Sequence, residues 1–382
     1  MKVLRVMGLV VGLLVLAVAG FAAFISARGI PSYAPPKLSL APIAATPARV
    51  ALGEKLVLST CADCHLNRQT NALSGQRLRD ITPEFGTLYA ANITQDQAHG
   101  IGRWTDGELV ALLRTGIGRD GRFRIVMPSF VHMSDEDVAS IVAFLRSSSP
   151  LVRADPMPSH AQEPSFLAKV LVNTVMKPTP VPARPVLAPA PADAVAYGRY
   201  LVVGRYKCYD CHSKDFKTNN ALEPEKSAGY LGGGNVLLNL QGQPVPARNL
   251  TADPETGLGD WTEAQFTRAV RYGLAPHGPL AYPMPKYSRL TDEETHALFS
   301  YLQTVPKLKN ATPEDGAVAQ AKLWRRPFAG AGLSATQPVP ADNSRPRNSA
   351  TASCGGFSCS PRTPGGPALS GRSSTPCPGS PP

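Results

Sequence analysis

The sequence predicts an all-α protein in which one small helical domain occurs twice in tandem. Three observations lead to this prediction: an internal repeat, helix-start signals at matching places in both copies, and a long apolar run at the N-terminus. We expect the two domains to follow a membrane helix and to precede a disordered C-terminal tail. Neither copy has a convincing run of alternating strand residues.

The repeat is clearest between residues 92–146 and 249–303. At a shift of 157 positions, fifteen of these fifty-five aligned residues are identical. Two cysteine-containing motifs upstream align at a shift of 147, so the second copy has ten additional residues between its motif and the aligned block. Repeats indicate a shared architecture, and a residue kept in both copies is a candidate for shared chemistry.

The helix starts of the two copies correspond. Thr105–Glu108 and Thr262–Gln265 fit the capping box, in which a hydroxyl and a side chain three residues later satisfy free backbone N–H groups. Ser134–Asp137 and Thr291–Glu294 are expected to start the last helix of each copy, because apolar residues follow at helical spacing. Each copy is therefore predicted to be a helical domain of about a hundred residues, small enough that an apolar cofactor would help to fill its core.

Composition sets the domain boundaries and limits the choice of partner. The 382 residues include 38 Pro and 33 Gly, too many for one compact fold. The net charge is +11, but +6 of it comes from residues 307–382, so charge does not indicate a nucleic-acid partner. The predicted segments are a membrane anchor or signal (1–28), a Pro-rich stalk (29–48), a first domain (49–150), a linker (151–193), a second domain (194–306) and a low-complexity tail (307–382).

The N-terminus predicts export. Lys2 and Arg5 precede twenty uncharged residues, Val6 to Ile25, enough to cross a bilayer. Basic residues before the run keep that end in the cytoplasm. Whether the run is a retained anchor or a cleaved signal stays open at this point, although its length favours the anchor. In either case the body is expected on the periplasmic side of a bacterial inner membrane.

Two short motifs carry the chemistry. Residues 61–65 read CADCH and residues 208–212 read CYDCH, the pattern of covalent haem c attachment. Two cysteines three residues apart lie about one helical turn from each other, so each thiol reaches one vinyl group of the porphyrin, and the histidine binds the iron. Two motifs, each opening one copy of a repeat, predict two covalently bound haem c groups.

Other uses of these cysteines fit less well. A zinc site built from both pairs would have to join motifs that are separated by 144 residues and a Pro-rich linker, and it would not explain the histidines. A thioredoxin-like redox motif needs a strand–helix–strand context that is missing here. A disulfide within either pair would be strained.

The repeat also selects the second iron ligand. Met127 and Met284 align, and each is followed by proline on a loop before the last helix. The other candidates, His99, His132, Met133, His277 and His296, have no matching Met or His in the other copy. Since Met and His are the usual second ligands of c-type haem, we expect Met127 and Met284 to fill this role.

Further aligned residues leave alternatives open. Gly53 and Gly198 could let the first and last helices of each copy cross closely, against Phe144 and Tyr301. The remaining aligned pairs have two interpretations each. Trp104 and Trp261 could bind haem propionates or pack in the core, Arg114 and Arg271 could bind propionates or lie on an exposed helix face, and the Asn-x-Thr sequences at Asn92 and Asn249 could be glycosylation sites or, because they are equivalent, structural turns.

Each copy resembles class I cytochrome c in its first helix, its CxxCH motif, its Met-Pro loop and its last helix. The phrases NITQDQAHGIGRW (92–104), GIGRDG (116–121) and NLTADPETGLGDW (249–261) are similar to the multihaem cytochrome c subunits of membrane-bound alcohol, aldehyde and gluconate dehydrogenases. The resemblance implies electron relay from a dehydrogenase subunit to ubiquinone or toward an oxidase. Those subunits usually carry three CxxCH motifs, whereas this chain has two.

The resemblance assigns the ligands of both haems by residue. Residues Cys61, Cys64, His65 and Met127 would hold one haem, and Cys208, Cys211, His212 and Met284 the other. The expected function is electron transfer without a substrate of its own. A dihaem peroxidase or thiosulfate dehydrogenase, which needs an iron that opens or exchanges its ligand, and a haem-based sensor remain the alternatives.

Overall fold

Ten α-helices occur within residues 2–312, the part of the chain that the computed structural model describes. They are α1 (Lys2–Arg28), α2 (Pro47–Thr60), α3 (Ala62–His65), α4 (Asp106–Thr115), α5 (Asp135–Leu145), α6 (Phe166–Thr174), α7 (Ala194–Tyr200), α8 (Cys208–His212), α9 (Glu263–Tyr272) and α10 (Asp292–Leu302). Short 3₁₀ turns lie at Pro83–Phe85, Phe216–Thr218 and Pro224–Lys226, and a π-helical turn at Leu201–Arg205. The predicted tail lies outside the described residues from 313 onward.

Short antiparallel strand pairs accompany the helices, so the described part is mostly helical rather than purely α. The pairs are β1 (Gly86–Thr87) with β2 (Glu163–Pro164), β3 (Val236–Leu238) with β4 (Pro244–Pro246), and β5 (Leu274–Ala275) with β6 (Gly278–Pro279). Strands of two or three residues are too short to give an alternating pattern, which is why the sequence did not indicate them.

The first and last helices of each copy cross at a glycine. A Cβ on Gly53 would lie 1.9 Å from a backbone oxygen of α5 and 2.7 Å from the Cβ of Phe144. A Cβ on Gly198 would lie at the same distances from a backbone oxygen of α10 and from the Cβ of Tyr301. The prediction that these glycines allow a close crossing is therefore confirmed: α2 packs on α5 and α7 on α10 with no room for a side chain.

Each crossing is the centre of its own apolar cluster. Leu56 and Ile141 are fully buried in the first cluster, and Leu201 and Leu302 in the second. The predicted capping boxes are present at Thr105 and Thr262, and Thr291 forms a further one at the predicted start of α10. Residues 307–312 also contact the second copy, where the Nδ2 of Asn249 donates to the Leu308 carbonyl and the Nδ2 of Asn310 to the Gly232 carbonyl.

Helix α1 is the only helix within residues 2–312 that is long and apolar enough to cross a membrane, which fits a membrane anchor; a signal sequence would satisfy the same criterion. The C-terminal end of α1 and the residues that follow it contact the rest of the described chain. Ile25 is fully buried, and the Tyr33 amide donates to the Gly121 carbonyl at 2.7 Å.

Candidate cofactor sites

In the first copy, the two cysteines and the histidine lie on one helical turn. Helix α2 ends at Thr60, Cys61 caps it, and α3 begins at the next residue. The amides of Cys64 and His65 both donate to the Cys61 carbonyl, at 3.2 and 2.9 Å. Local backbone hydrogen bonding therefore fixes the spacing of the two thiols and the imidazole.

The second copy reaches the same turn by a different backbone path. Helix α7 continues into the π-helical turn Leu201–Arg205, and Lys207 then adopts a left-handed conformation with φ of 51°. Its side chain is held by the hydroxyl of Tyr209 at 2.9 Å and by Asp210 at 3.3 Å. Two residues of the motif itself thus bind the side chain of Lys207, whose left-handed backbone conformation directly precedes the motif.

The two motif histidines are oriented identically. The Nδ1 of His65 lies 2.7 Å from the Ala91 carbonyl, and the Nδ1 of His212 lies 2.7 Å from the Arg248 carbonyl. A carbonyl only accepts, so Nδ1 carries the proton and Nε2 keeps a free lone pair, the form that binds a metal ion. Such a partner for the second nitrogen orients a metal-binding histidine. Ala91 and Arg248 occupy equivalent repeat positions, but backbone carbonyls give no side-chain signal in a sequence.

Burial keeps these groups uncharged at neutral pH. It lowers the pKa of both imidazoles below the usual histidine range. It raises the pKa of the Cys61 thiol to about 11 and those of Cys64, Cys208 and Cys211 to about 12. All four cysteines are free thiols in the structure. Neutral imidazoles and uncommitted paired thiols are the donor set that haem c attachment requires, so the residues present fit the group.

The two aligned methionines are also placed alike. Met127 is half-buried and packs against the apolar cluster that includes Cys61. Met284 is half-buried against the cluster that includes Cys208. The amide of each closes a four-residue turn by donating to the carbonyl three positions earlier, that of Arg124 or Ala281. Each copy therefore brings its methionine to the same cluster as its cysteine motif.

The aligned arginines hold the segment that follows the methionine loop. The Arg114 guanidinium donates to the Phe130 carbonyl at 2.8 Å, to the Met133 carbonyl, and to Asp135 at the start of α5. Arg271 pairs with Asp292 at the start of α10, at 2.7 Å. An exposed helix face is the wrong interpretation for Arg114, which is 2% exposed. These contacts connect the helix before the loop to the helix after it.

The Asn-x-Thr sequences form structural turns, as expected from their equivalence. The Oδ1 of Asn92 accepts from both the amide and the hydroxyl of Thr94, at 2.9 and 2.7 Å. Asn249 and Thr251 repeat this arrangement at 2.9 and 2.8 Å. Both asparagines are 2% exposed, so neither side chain is accessible to a glycosyltransferase.

The aromatic candidates belong to the cores. Trp104 and Trp261 are half-buried against the first and second apolar clusters, which supports their interpretation as packing residues. The guanidinium of Arg119 lies over the Trp104 ring at 5.9 Å.

Most alternative histidine ligands have partners elsewhere. The Nε2 of His132 lies 2.9 Å from the Ala221 carbonyl of the second copy. His296 contacts Glu263 through Nδ1 at 3.1 Å. His277 packs edge-on against Trp261, with ring centroids 6.4 Å apart. His132 would therefore have to break a contact between the copies in order to reach an iron.

Ionisable groups of the two motifs affect one another electrostatically, which the sequence did not indicate. Burial is the main cause that raises the pKa of the Cys211 thiol. The acidic groups of Asp210 and Cys208, in the same copy, and of Asp80 and Cys64, in the first copy, raise it further. The buried hydroxyl of Tyr287 is likewise close to groups of both motifs, because Cys208, Cys211 and Asp63 add to the burial that raises its pKa.

A buried ionic cluster joins the copies beside these motifs. Arg205 binds Asp137 of α5 through two nitrogens, at 2.7 and 3.0 Å, and Glu294 of α10 through a third, at 2.8 Å. Lys55 of α2 also contacts Glu294, at 2.5 Å. The hydroxyl of Tyr200 donates to Asp137. We refer to Arg205, Asp137, Glu294, Lys55 and Tyr200 as the interface cluster.

A turn with two cysteines and a neutral, oriented histidine is the arrangement that covalent haem attachment uses. Comparison with known proteins agrees. Residues 48–145 match the family described as cytochrome c oxidase, cbb3-type, subunit III. The cytochrome c subunit of a quinone-dependent alcohol dehydrogenase from Gluconacetobacter polyoxogenes is 30% identical over 264 residues, which cover 65% of this chain and 54% of that protein.

Two further relatives extend the comparison. The gluconate 2-dehydrogenase cytochrome c subunit of Pantoea cypripedii is 29% identical over 308 residues, or 75% of this chain and 67% of that protein. A dihaem cytochrome c-type protein of Cereibacter sphaeroides is 29% identical over 272 residues, or 65% of this chain and 83% of that protein. The chain spans about half the length of the alcohol dehydrogenase subunits and of a fructose dehydrogenase cytochrome subunit. The chain thus contains a cytochrome c-type domain and is similar to the cytochrome c subunits of such dehydrogenases, which supports haem binding and electron transfer.

Proposed function

We propose that the chain is a dihaem cytochrome c that accepts electrons from a dehydrogenase partner and passes them toward quinone or a terminal oxidase. The observation that carries the proposal is the duplicated site: each copy holds a cysteine pair, a histidine whose Nδ1 is bound to a backbone carbonyl at 2.7 Å, and a methionine in the same apolar cluster. Haem c at such a site supplies one-electron exchange at its iron.

We assign one haem to each of two cytochrome c domains, residues 49–150 and 194–306. In each domain the two thiols would hold the porphyrin, the histidine Nε2 and the methionine sulfur would hold the iron, and the surrounding apolar residues would exclude water. The ligand residues are Cys61, Cys64, His65 and Met127 in the first domain, and Cys208, Cys211, His212 and Met284 in the second. Direct contacts between the two domains support a relay between them: Arg205 donates to Asp137 at 2.7 Å, and the Nε2 of His132 lies 2.9 Å from the Ala221 carbonyl.

We also propose that α1 is retained as an anchor, so that both domains stand on the periplasmic side of the inner membrane. The contacts of its outer end support retention. Ile25 is buried in the body, and the Nδ2 of Asn173 donates to the Gly29 carbonyl at 2.9 Å. Cleavage after α1 would remove these residues and expose the surface of α6 on which α1 packs.

A haem count and a spectrum of the purified full-length protein test this proposal. We expect two c-type haems per chain by pyridine haemochrome, both low-spin, with the weak red band of methionine–iron ligation when oxidised. The double variant Cys61→Ser/Cys64→Ser should retain one haem, whereas Cys354→Ser, outside both motifs, should retain two. One haem in the parent chain, or a high-spin fraction, would contradict the proposed relay. A high-spin iron would instead favour the dihaem enzyme.

A further inference from the structure

Helix α6, in the linker between the two copies, is apolar on both of its faces. Ala168, Leu171 and Val172 are buried against the body. On the opposite side, Phe166 is 48% exposed and Leu167 is 42% exposed. Phe166 and Leu167 are adjacent large apolar side chains left exposed in the first turn of the helix, so the Phe166–Leu167 face, which we call the outer face of α6, is a candidate interaction surface.

The position of α6 indicates what covers this face. Its inner side packs against the outer end of α1, where Ile25 is fully buried and the Gly29 carbonyl accepts from Asn173 at 2.9 Å. Ile25 is also the last residue of the apolar run that begins at Val6, and Arg28 is the first charged residue after it. The apolar run of a spanning helix ends where the hydrocarbon core ends. Helix α6 therefore lies at the level where α1 would leave the bilayer.

The charges around α6 match a lipid surface. Lys169 and Lys177 lie on and just after the helix, and residues 164–177 contain no acid. Arg28 is the last residue of α1, the helix against which α6 packs, and Glu163 is the nearest acid in sequence, just before Pro164 and the helix. Cations that flank an apolar helical face are typical of helices lying in the headgroup region of a membrane, where they meet anionic phosphates.

We propose that the outer face of α6 is inserted into the interfacial region of the bilayer beside α1. The partner of this surface is thus the lipid membrane. The proposal depends on the retention of α1 as an anchor, which is part of the proposed function. It assigns to the linker a role that neither the motifs nor the repeat implies.

One consequence concerns the first domain. Val172 of α6 is buried together with Phe123 and Ile125, which precede Met127 on its loop. Tyr33, which follows α1, packs edge-on against Phe123 with ring centroids 6.4 Å apart. The methionine loop of the first domain is therefore connected directly to the surface that we place on the lipid, so the first domain is the membrane-proximal one.

Photolabelling of the full-length, haem-loaded protein tests this placement. The protein is reconstituted in vesicles of phosphatidylcholine and phosphatidylglycerol that contain a phosphatidylcholine with a diazirine near its glycerol backbone. After illumination, cross-linked residues are mapped by peptide mass spectrometry. We expect lipid adducts on Phe166 or Leu167 at a level comparable with the outer turns of α1. The segment around Val236 and Leu240, which is equally exposed and apolar but lies in the second copy, is the control and should carry none.

The possible outcomes separate this inference from the anchor. Adducts on α1 but none on residues 164–177 would overturn the inference and leave the anchor intact; the outer face of α6 would then belong to a protein partner. No adducts on α1 would overturn the anchor itself. Equal labelling of the Leu240 segment would show that the reagent reports exposure alone, which would also refute the placement. The double variant Phe166→Glu/Leu167→Glu should lose the α6 adducts and keep those on α1.

Discussion

Removal of Arg205 should destabilise the protein strongly, because its guanidinium lies between two buried carboxylates. The side chains of Arg205, Asp137 and Glu294 are 7%, 3% and 5% exposed. In Arg205→Met, Glu294 would keep Lys55 as a counter-ion, but Asp137 would keep only the hydroxyl of Tyr200. Breaking a buried ion pair by removing one partner costs about 3–5 kcal/mol, and we expect a loss of that size here.

The assay is urea unfolding of the haem-loaded full-length protein in detergent, followed by far-ultraviolet circular dichroism. The matched control is Arg199→Met. Arg199 also pairs with a carboxylate of the second copy, Glu225, at 2.6 Å, but both side chains are largely exposed. Exposed pairs contribute about 0–1 kcal/mol, so the control should unfold near the parent midpoint. Addition of Asp137→Asn to Arg205→Met should recover stability, because it removes the uncompensated charge.

Two results would refute this reasoning. If Arg205→Met costs no more than Arg199→Met, the buried ion pairs do not contribute as the geometry implies. If Asp137→Asn fails to restore any stability in the Arg205→Met background, Asp137 is not the group that the loss of Arg205 leaves unpaired. If Arg205→Met and Arg205→Met/Asp137→Asn lose the same amount of stability, the loss comes from the packing of the Arg205 side chain and not from an uncompensated charge on Asp137.

Three shorter predictions test the sites themselves. Met127→His should keep its iron low-spin but remove about half of the red methionine–iron band and lower the potential of one centre, since Met ligation raises the potential; an unchanged band would exclude Met127 as a ligand. Gly53→Ala places a Cβ 1.9 Å from a backbone oxygen and should abolish the yield of haem-loaded protein, whereas Gly12→Ala, with nothing within 4 Å, should not; equal yields would contradict the close crossing. His132→Gln should give the same spin state as the parent protein when both are reduced, because His132 is bound to the Ala221 carbonyl; a difference between the two by magnetic circular dichroism would indicate that His132 becomes an iron ligand on reduction.

The features that the sequence predicted correctly are local and duplicated. The crossing glycines and the Asn–Thr turns each depend on contacts that recur in both copies, so that the internal repeat selected them from many similar residues. The helix starts were also predictable, because a capping box is contained in four consecutive residues. By contrast, the carbonyls that orient the two histidines were not, since any residue type can supply a backbone oxygen.

The contacts of the interface cluster could not be predicted from local sequence patterns. Asp137 and Glu294 lie 157 positions apart, which is the repeat spacing, and both were predicted to complete the start of their last helix. Glu294 completes the capping box of α10 and also binds Arg205. The carboxylate of Asp137 instead accepts hydrogen bonds from Arg205 and Tyr200, so Ser134 caps α5 without a bond from Asp137 to its own amide. Arg205 itself has leucine at the corresponding place of the first copy. An ion pair between the two copies needs residues of opposite charge on its two sides. The alignment of the copies, which selects identical residues, therefore does not detect it. Arg205, which helps to join the two proposed haem domains, is therefore a residue that the repeat analysis could not select.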